Sequence, residues 1–208
     1  MKKLQIAVIG SAGPEEYAYD KPIKAMYAAA ETIGRLLAQK ECIIVNGGKD
    51  GVMEAVCRGA KSAGGLTVAE ISGDGRGEGN DYVDIEIVTT DSGFRGPSLL
   101  VGMSDAVISL GGGAGTLQEL SVAYRMRKPI VLYTGFGGWT DRVAKLDYLD
   151  ERQLVQFVQV NTEELAVIKA IQLAKKEKNN VGRKPLNLAF RGKKCNNNPN
   201  EYVVITAI

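Results

Sequence analysis

The sequence predicts an α/β protein, a doubly wound and mainly parallel sheet with helices on both faces. Three observations lead there. Short apolar runs alternate with stretches of helical periodicity as far as residue 174. Most positions in those runs are apolar, as strands buried on both faces require. Glycine-rich segments follow several of them, at the points where a strand has to turn into a helix.

The elements follow in order. Leu4–Ile9 is the first strand, turning through Gly10–Gly13. A helix is expected from about Lys21 to Lys40, because Ile23, Met26, Tyr27, Ala30, Ile33 and Leu37 recur on one face. Glu41–Val45 is the second strand and ends in Asn46–Gly51. Met53, Val56, Cys57 and Ala60 mark the next helix, which stops at Gly64 and Gly65. Leu66–Ile71 is the third strand; the loop 72–82, glycine-rich and mixed in charge, is expected to be exposed and mobile. Asp84–Thr90 is a fourth strand, Pro97–Met103 a short helix and Ala106–Leu110 a fifth strand. Leu117, Leu120 and Tyr124 give the next helix its apolar face, and Pro129–Tyr133 is the sixth strand. Gly135–Asp141 is read as a turn, Val155–Val160 as a candidate last strand, and Thr162–Lys175 as the closing helix.

Residues 1–174 are thus expected to form one nucleotide- or phosphate-binding domain, and 175–208 a basic C-terminal extension. Between Lys175 and Lys194 eight Lys or Arg stand against one Glu. A segment of that composition is a solvated arm or one that touches nucleic acid or a neighbouring subunit, and nucleic acid is the less expected of these. At 45% hydrophobic and 24% charged residues the chain has an ordinary soluble composition. It shows no membrane span or leader, so a cytoplasmic protein is expected. Cys42, Cys57 and Cys195 form no CxxC, which argues against a disulfide framework or zinc. No metal or cofactor is expected. There is no histidine, so Ser-His, Cys-His and HExxH chemistry is excluded, and any catalysis must use carboxylates, Lys, Arg, Tyr or backbone dipoles.

The stretch Gly111-Gly-Gly-Ala-Gly-Thr-Leu-Gln-Glu119 joins the fifth strand to the helix behind it. Glycines let backbone N–H groups approach a ligand, and a helix start adds unpaired donors and a positive dipole end. Such a turn is a cradle for a phosphate, and Glu119 stands one turn in from it. Right-handed crossovers place Gly10–Gly13, Gly47–Gly51 and Gly111–Gly115 on one edge of the sheet. Gly10, Ser11, Gly13, Asn46, Gly47, Gly48, Gly112, Gly113, Gly115 and Thr116 are therefore the candidate phosphate- or nucleotide-binding residues. Blander roles compete: Thr116-x-x-Glu119 is also a helix capping box, and Asp50 is read as a helix N-cap rather than an acid. Asn46 is balanced between ligand contact and turn fixation. Trp139 is expected to pack, and Lys49 to be an exposed loop lysine rather than a phosphate contact.

At these motifs the chain resembles the Rossmann-like superfamily that contains the LOG cytokinin-activating phosphoribohydrolases, once labelled lysine decarboxylases. That superfamily also holds molybdenum-cofactor carrier proteins and the core of DprA. The LOG signature Pro-Gly-Gly-x-Gly-Thr-x-x-Glu is matched by Gly111–Glu119, with glycine in the leading place. Gly10–Gly13, Asn46–Met53, Ser104–Ile108 and Gly137–Arg142 are similar to family loops as well. The resemblance implies cleavage of a nucleoside 5′-monophosphate to a base and ribose 5-phosphate, with Glu119 and an upstream arginine as the catalytic pair. Arg95 is the candidate arginine, although the family's register falls on Gly96. A non-catalytic carrier or sensor of a phosphorylated cofactor or nucleotide is the alternative, since it needs the cradle but not the pair. The resemblance also implies a homodimer or larger homo-oligomer. A pyridoxal-dependent lysine decarboxylase is rejected, because such enzymes stack a histidine on the cofactor.

Overall fold

The structure, a computed structural model, describes residues 2–13, 23–73, 75–89 and 96–181. Seven strands form one fully parallel sheet in the order β4-β3-β2-β1-β5-β6-β7. In chain order the elements are β1 (Gln5–Gly10), α1 (Ile23–Gln39), β2 (Ile43–Asn46), α2 (Val52–Ser62), β3 (Leu66–Ile71), β4 (Ile85–Val88) and α3 (Gly96–Met103). They continue with β5 (Ala106–Leu110), α4 (Ala114–Arg125), β6 (Ile130–Tyr133), α5 (Gly138–Val143), β7 (Val158–Val160) and α6 (Glu163–Val181).

The chain runs outward from β1 to β4, then crosses back to β5 beside β1. Strand order therefore reverses between β1 and β5, and a crevice opens at their carboxyl ends. The two runs place helices on opposite faces because each crossover is right-handed. One core joins α1, α2 and α6 to Ile6, Val8, Ile44, Ile108 and Val131; the other joins α3, α4 and α5 to Ala7, Ile9, Val45, Val107 and Leu132. Alternate residues of the same strands feed the two cores, as a pleat buried on both sides requires. On α1 the buried stripe is Met26, Ala29, Ala30, Ile33, Gly34, Leu37 and Ala38. Each of its larger side chains contributes about 1.5–3 kcal/mol by leaving water. Cys42 and Cys57 are buried, and desolvation pushes the Cys57 thiol up to about 11, so it is a packing group and not a nucleophile. Cys195 lies outside the described residues.

β3 and β4 are joined with no helix among the described residues, so one crossover is the loop read from the sequence. Two boundaries differ from that reading. α5 starts inside the segment read as a turn. α6 continues to Val181, past the helix end expected at Lys175. The loop after β3 is held in place by Asn80, whose amide donates to the Gly48 and Lys49 carbonyls at 3.0 and 2.9 Å. The basic stretch 182–208 lies outside the described residues.

Candidate functional site

A cleft of about 610 Å³ opens at the carboxyl edge of the sheet. Gly10 at the end of β1 and Ala12 just beyond it line one side; Gly47 and Lys49 come from the β2–α2 turn and Met53 from α2. Glu70 and Ser72 come from the end of β3, and Pro97 from α3. The opposite wall is Gly113–Thr116, Gln118 and Glu119 of α4.

The glycine turn before α4 is built in two layers. Behind the cleft, the Gly112 N–H donates to the Ser11 hydroxyl at 2.8 Å, tying the turn to the end of β1. The carbonyls of Gly111 and Gly112 accept from the Thr140 and Trp139 amides at 3.0 and 2.8 Å. A Cβ on Gly138 would stand 2.6 Å from the Gly111 carbonyl carbon and the Gly112 oxygen, so only glycine allows that approach. Asp141 holds the α5 turn by accepting from the Gly135 and Gly137 amides at 2.9 Å. Trp139 accordingly packs on this support, with the Arg142 guanidinium 5.1 Å from its ring.

Facing the cleft, the turn is open. Gly113 is the N-cap of α4 and no side chain caps the helix. Among the described residues nothing accepts from the amides of Ala114, Gly115 or Thr116; the first helical bond at this end runs from the Leu117 amide to the Gly113 carbonyl. Gly113, Ala114 and Gly115 are exposed. Unsatisfied donors at the positive end of a 12-residue helix attract an anion. The capping-box expectation fails here, because the Thr116 hydroxyl donates across the crevice to the Gly10 carbonyl at 3.1 Å. Asp50 is likewise not a cap: α2 is capped by Gly51 with no side-chain bond, and Asp50 is exposed.

Glu119 lies one turn into α4. Side chains on a helix tilt toward its N-terminus, so its carboxyl is directed back at the open amides. It makes no hydrogen bond or ion pair among the described residues. Burial first, and the nearby Glu70 carboxylate second, push its pKa up to about 8.

Of the candidate residues, Gly10, Gly47, Gly113, Gly115, Thr116 and Glu119 share this cleft. Ser11, Asn46 and Gly112 stand behind its wall. The buried Asn46 side chain accepts from the Gly48 amide at 2.8 Å and donates to the Met53 carbonyl at 3.3 Å, which fixes the turn. Gly13 and Gly48 do not line the cleft; the Gly13 carbonyl accepts from the Tyr27 hydroxyl at 2.9 Å, and Gly48 is packed on Ala69 and Ile71. Arg95 lies outside the described residues. Lys49 reaches the cleft and pairs at its rim with Glu78 at 3.6 Å. Glu70, a cleft acid buried to 4% exposure, was hidden to sequence reading inside an apolar strand. Its signal was a charged residue at the carboxyl end of a run otherwise fit for burial.

A parallel sheet with its order reversed over an open, amide-lined cleft places the chain in the doubly wound α/β class. Residues 3–168 match the model of the SLOG cluster4 family, and the chain belongs to that family. An uncharacterised protein from Archaeoglobus fulgidus is 42% identical over 130 residues, covering 62% of this chain and 80% of that protein. Among solved structures, TM1055 is similar with a TM-score of 0.72 and 33% identity, over 83% of this chain and 99% of that one. The molybdenum cofactor binding protein of the phototrophic bacterium Rippkaea orientalis follows with a TM-score of 0.67 and 28% identity, over 86% and 99% of the two chains.

Proposed function

We propose that the cleft receives the phosphate of a nucleoside 5′-monophosphate and that the protein hydrolyses its N-glycosidic bond, giving a base and ribose 5-phosphate. The observation that carries this reading is the row of unpartnered amides at Ala114–Thr116 with the Glu119 carboxyl one turn behind it. The amides hold the phosphate, Lys49 adds a positive charge at the rim, and Glu119 meets the sugar or the base. The test is release of free base from a panel of nucleoside monophosphates. Activity on at least one of them should fall about a hundredfold or more in Glu119→Gln, with phosphate binding kept. No release from any nucleotide, or a variant as active as the parent, refutes hydrolysis.

A second reading, a carrier of a phosphorylated cofactor or nucleotide, is favoured by one observation. The register of the family's arginine falls on Gly96, and a Cβ there would stand 2.4 Å from the Glu70 carboxylate. An acid thus fills the space from which that arginine would reach out. The likeness to the molybdenum cofactor binding protein supports the same reading. Native mass spectrometry of the purified protein separates the two: a retained phosphorylated ligand with no turnover selects the carrier. We propose cytoplasmic residence, a homo-oligomer and a basic extension after residue 174 with either reading; size-exclusion chromatography with light scattering tests the assembly.

A further inference from the structure

Glu70 and Glu119 line the same cleft with opposite support. Glu70 accepts from the Ser72 hydroxyl at 3.0 Å and from the Thr89 hydroxyl at 2.5 Å, both on Oε1, and its Oε2 takes a longer contact of 3.3 Å from Ser72. Its room is made by Gly96, which carries no side chain to displace it. Glu119 is desolvated and has no donor among the described residues, which favours its neutral form, whereas Glu70 is held by two hydroxyls. Two carboxyls with such different support in one cleft can divide a proton-donating role from a charge-holding one.

We propose that Glu70 is the second acid of the site and works with Glu119 as a pair, Glu70 holding the negative charge in place while Glu119 presents its hydroxyl to a ring nitrogen of the phosphorylated ligand. This rests on the phosphate-cradle reading above. In the hydrolytic reaction the Glu119 proton passes to the leaving ring nitrogen as the bond from C1′ to nitrogen breaks, and the bonding electrons stay on nitrogen. Water then bonds through oxygen to C1′ and returns a proton to the Glu119 carboxylate. Glu70 touches neither bond; it is a positioning residue that acts through the charge it sets beside Glu119. The inference also gives the ligand class: a phosphate at one end and a nitrogen heterocycle at the other, spanning the amides and the acids.

Few other charges bear on the pair among the described residues. Lys49 is the cation of the cleft, engaged by Glu78 at its rim. Glu86 of β4 accepts from the Gly77 and Gly79 amides. α3 carries no charged side chain, and on α5 Asp141 and Arg142 are committed to the turn amides and to Trp139.

The test is carboxyl carbon-13 NMR of the full chain between pH 4 and 10, with the Glu119 signal assigned by its loss in Glu119→Gln. Glu119 should titrate near 8 and move down by about one unit or more in Glu70→Gln, the size expected for removing a close like charge. Glu70→Ala gives the same reading if the glutamine variant does not fold. A Glu119 midpoint in the ordinary carboxylate range, or one that ignores Glu70, overturns the pair; the wild-type titration suffices for the first outcome. Where base release is found, the alkaline limb of its pH profile should move down by the same amount in Glu70→Gln. Absence of base release with the NMR shift intact sinks hydrolysis and leaves the pair as a ligand contact.

Discussion

The turns Gly47–Gly51 and Gly111–Gly115 look alike in the sequence and behave oppositely in the structure. In the first, the chain supplies partners at several points. Asn46 takes the Gly48 amide, the Ser11 carbonyl takes the Val52 amide, and the Gly48 carbonyl takes the Asn80 amide at 2.7 Å. In the second, the Gly112 amide behind the cleft is spent on Ser11, and those in front have no acceptor among the described residues. Glycine content marks where a backbone must bend or be approached closely; the partners of its amides decide whether a ligand is the thing approaching.

Substitutions that treat the two turns alike should separate them. Gly48→Val is the harshest, because Gly48 has φ +67 and a Cβ there would stand 2.7 Å from both Ala69 and Ile71. A loss of about 3 kcal/mol or more in chemical denaturation is expected, and a smaller loss would mean the closed turn is softer than its packing. Asn46→Ala should cost about 2 kcal/mol in the same measurement, since it strands the buried Gly48 amide. The open turn responds instead to pH. Glu119 binds its proton more tightly in the folded than in the unfolded chain, so stability should fall as pH rises from the ordinary carboxylate range to about 8. The loss is of the order of 2 kcal/mol once partial solvent access is allowed for, and Glu119→Gln should flatten the dependence of Tm on pH. Smallest is Gly115→Ala, whose new Cβ meets nothing within 4 Å. It should raise stability by about 0.5–1 kcal/mol while weakening inorganic phosphate binding roughly tenfold in calorimetry. Unchanged phosphate affinity would show that the anion does not use these amides.

The sheet was readable because strands buried on both faces are apolar at nearly every position; Leu4–Ile9 and Ala106–Leu110 each carry a single polar residue, Gln5 and Ser109. The positions of the glycine turns followed from the right-handed crossover rule. Details set by distant partners were not readable. Thr116 looked like a cap because four residues of sequence suit one, but its hydroxyl finds the Gly10 carbonyl, 106 residues away. Glu70 looked like a strand residue because Ser72, Thr89 and Gly96 meet it only once β3, β4 and α3 have come together. α5 begins early because Gly138 fits beneath Gly111 and Gly112, a fit no local pattern encodes.

The bonds from the Trp139 and Thr140 amides to the Gly112 and Gly111 carbonyls have a kinetic consequence. A peptide plane whose oxygen is already latched from behind cannot flip to show that oxygen to an incoming anion. The bend leading into α4 is therefore locked in one orientation, and an anion arriving at the Ala114–Thr116 amides, as proposed above, would meet a turn already set.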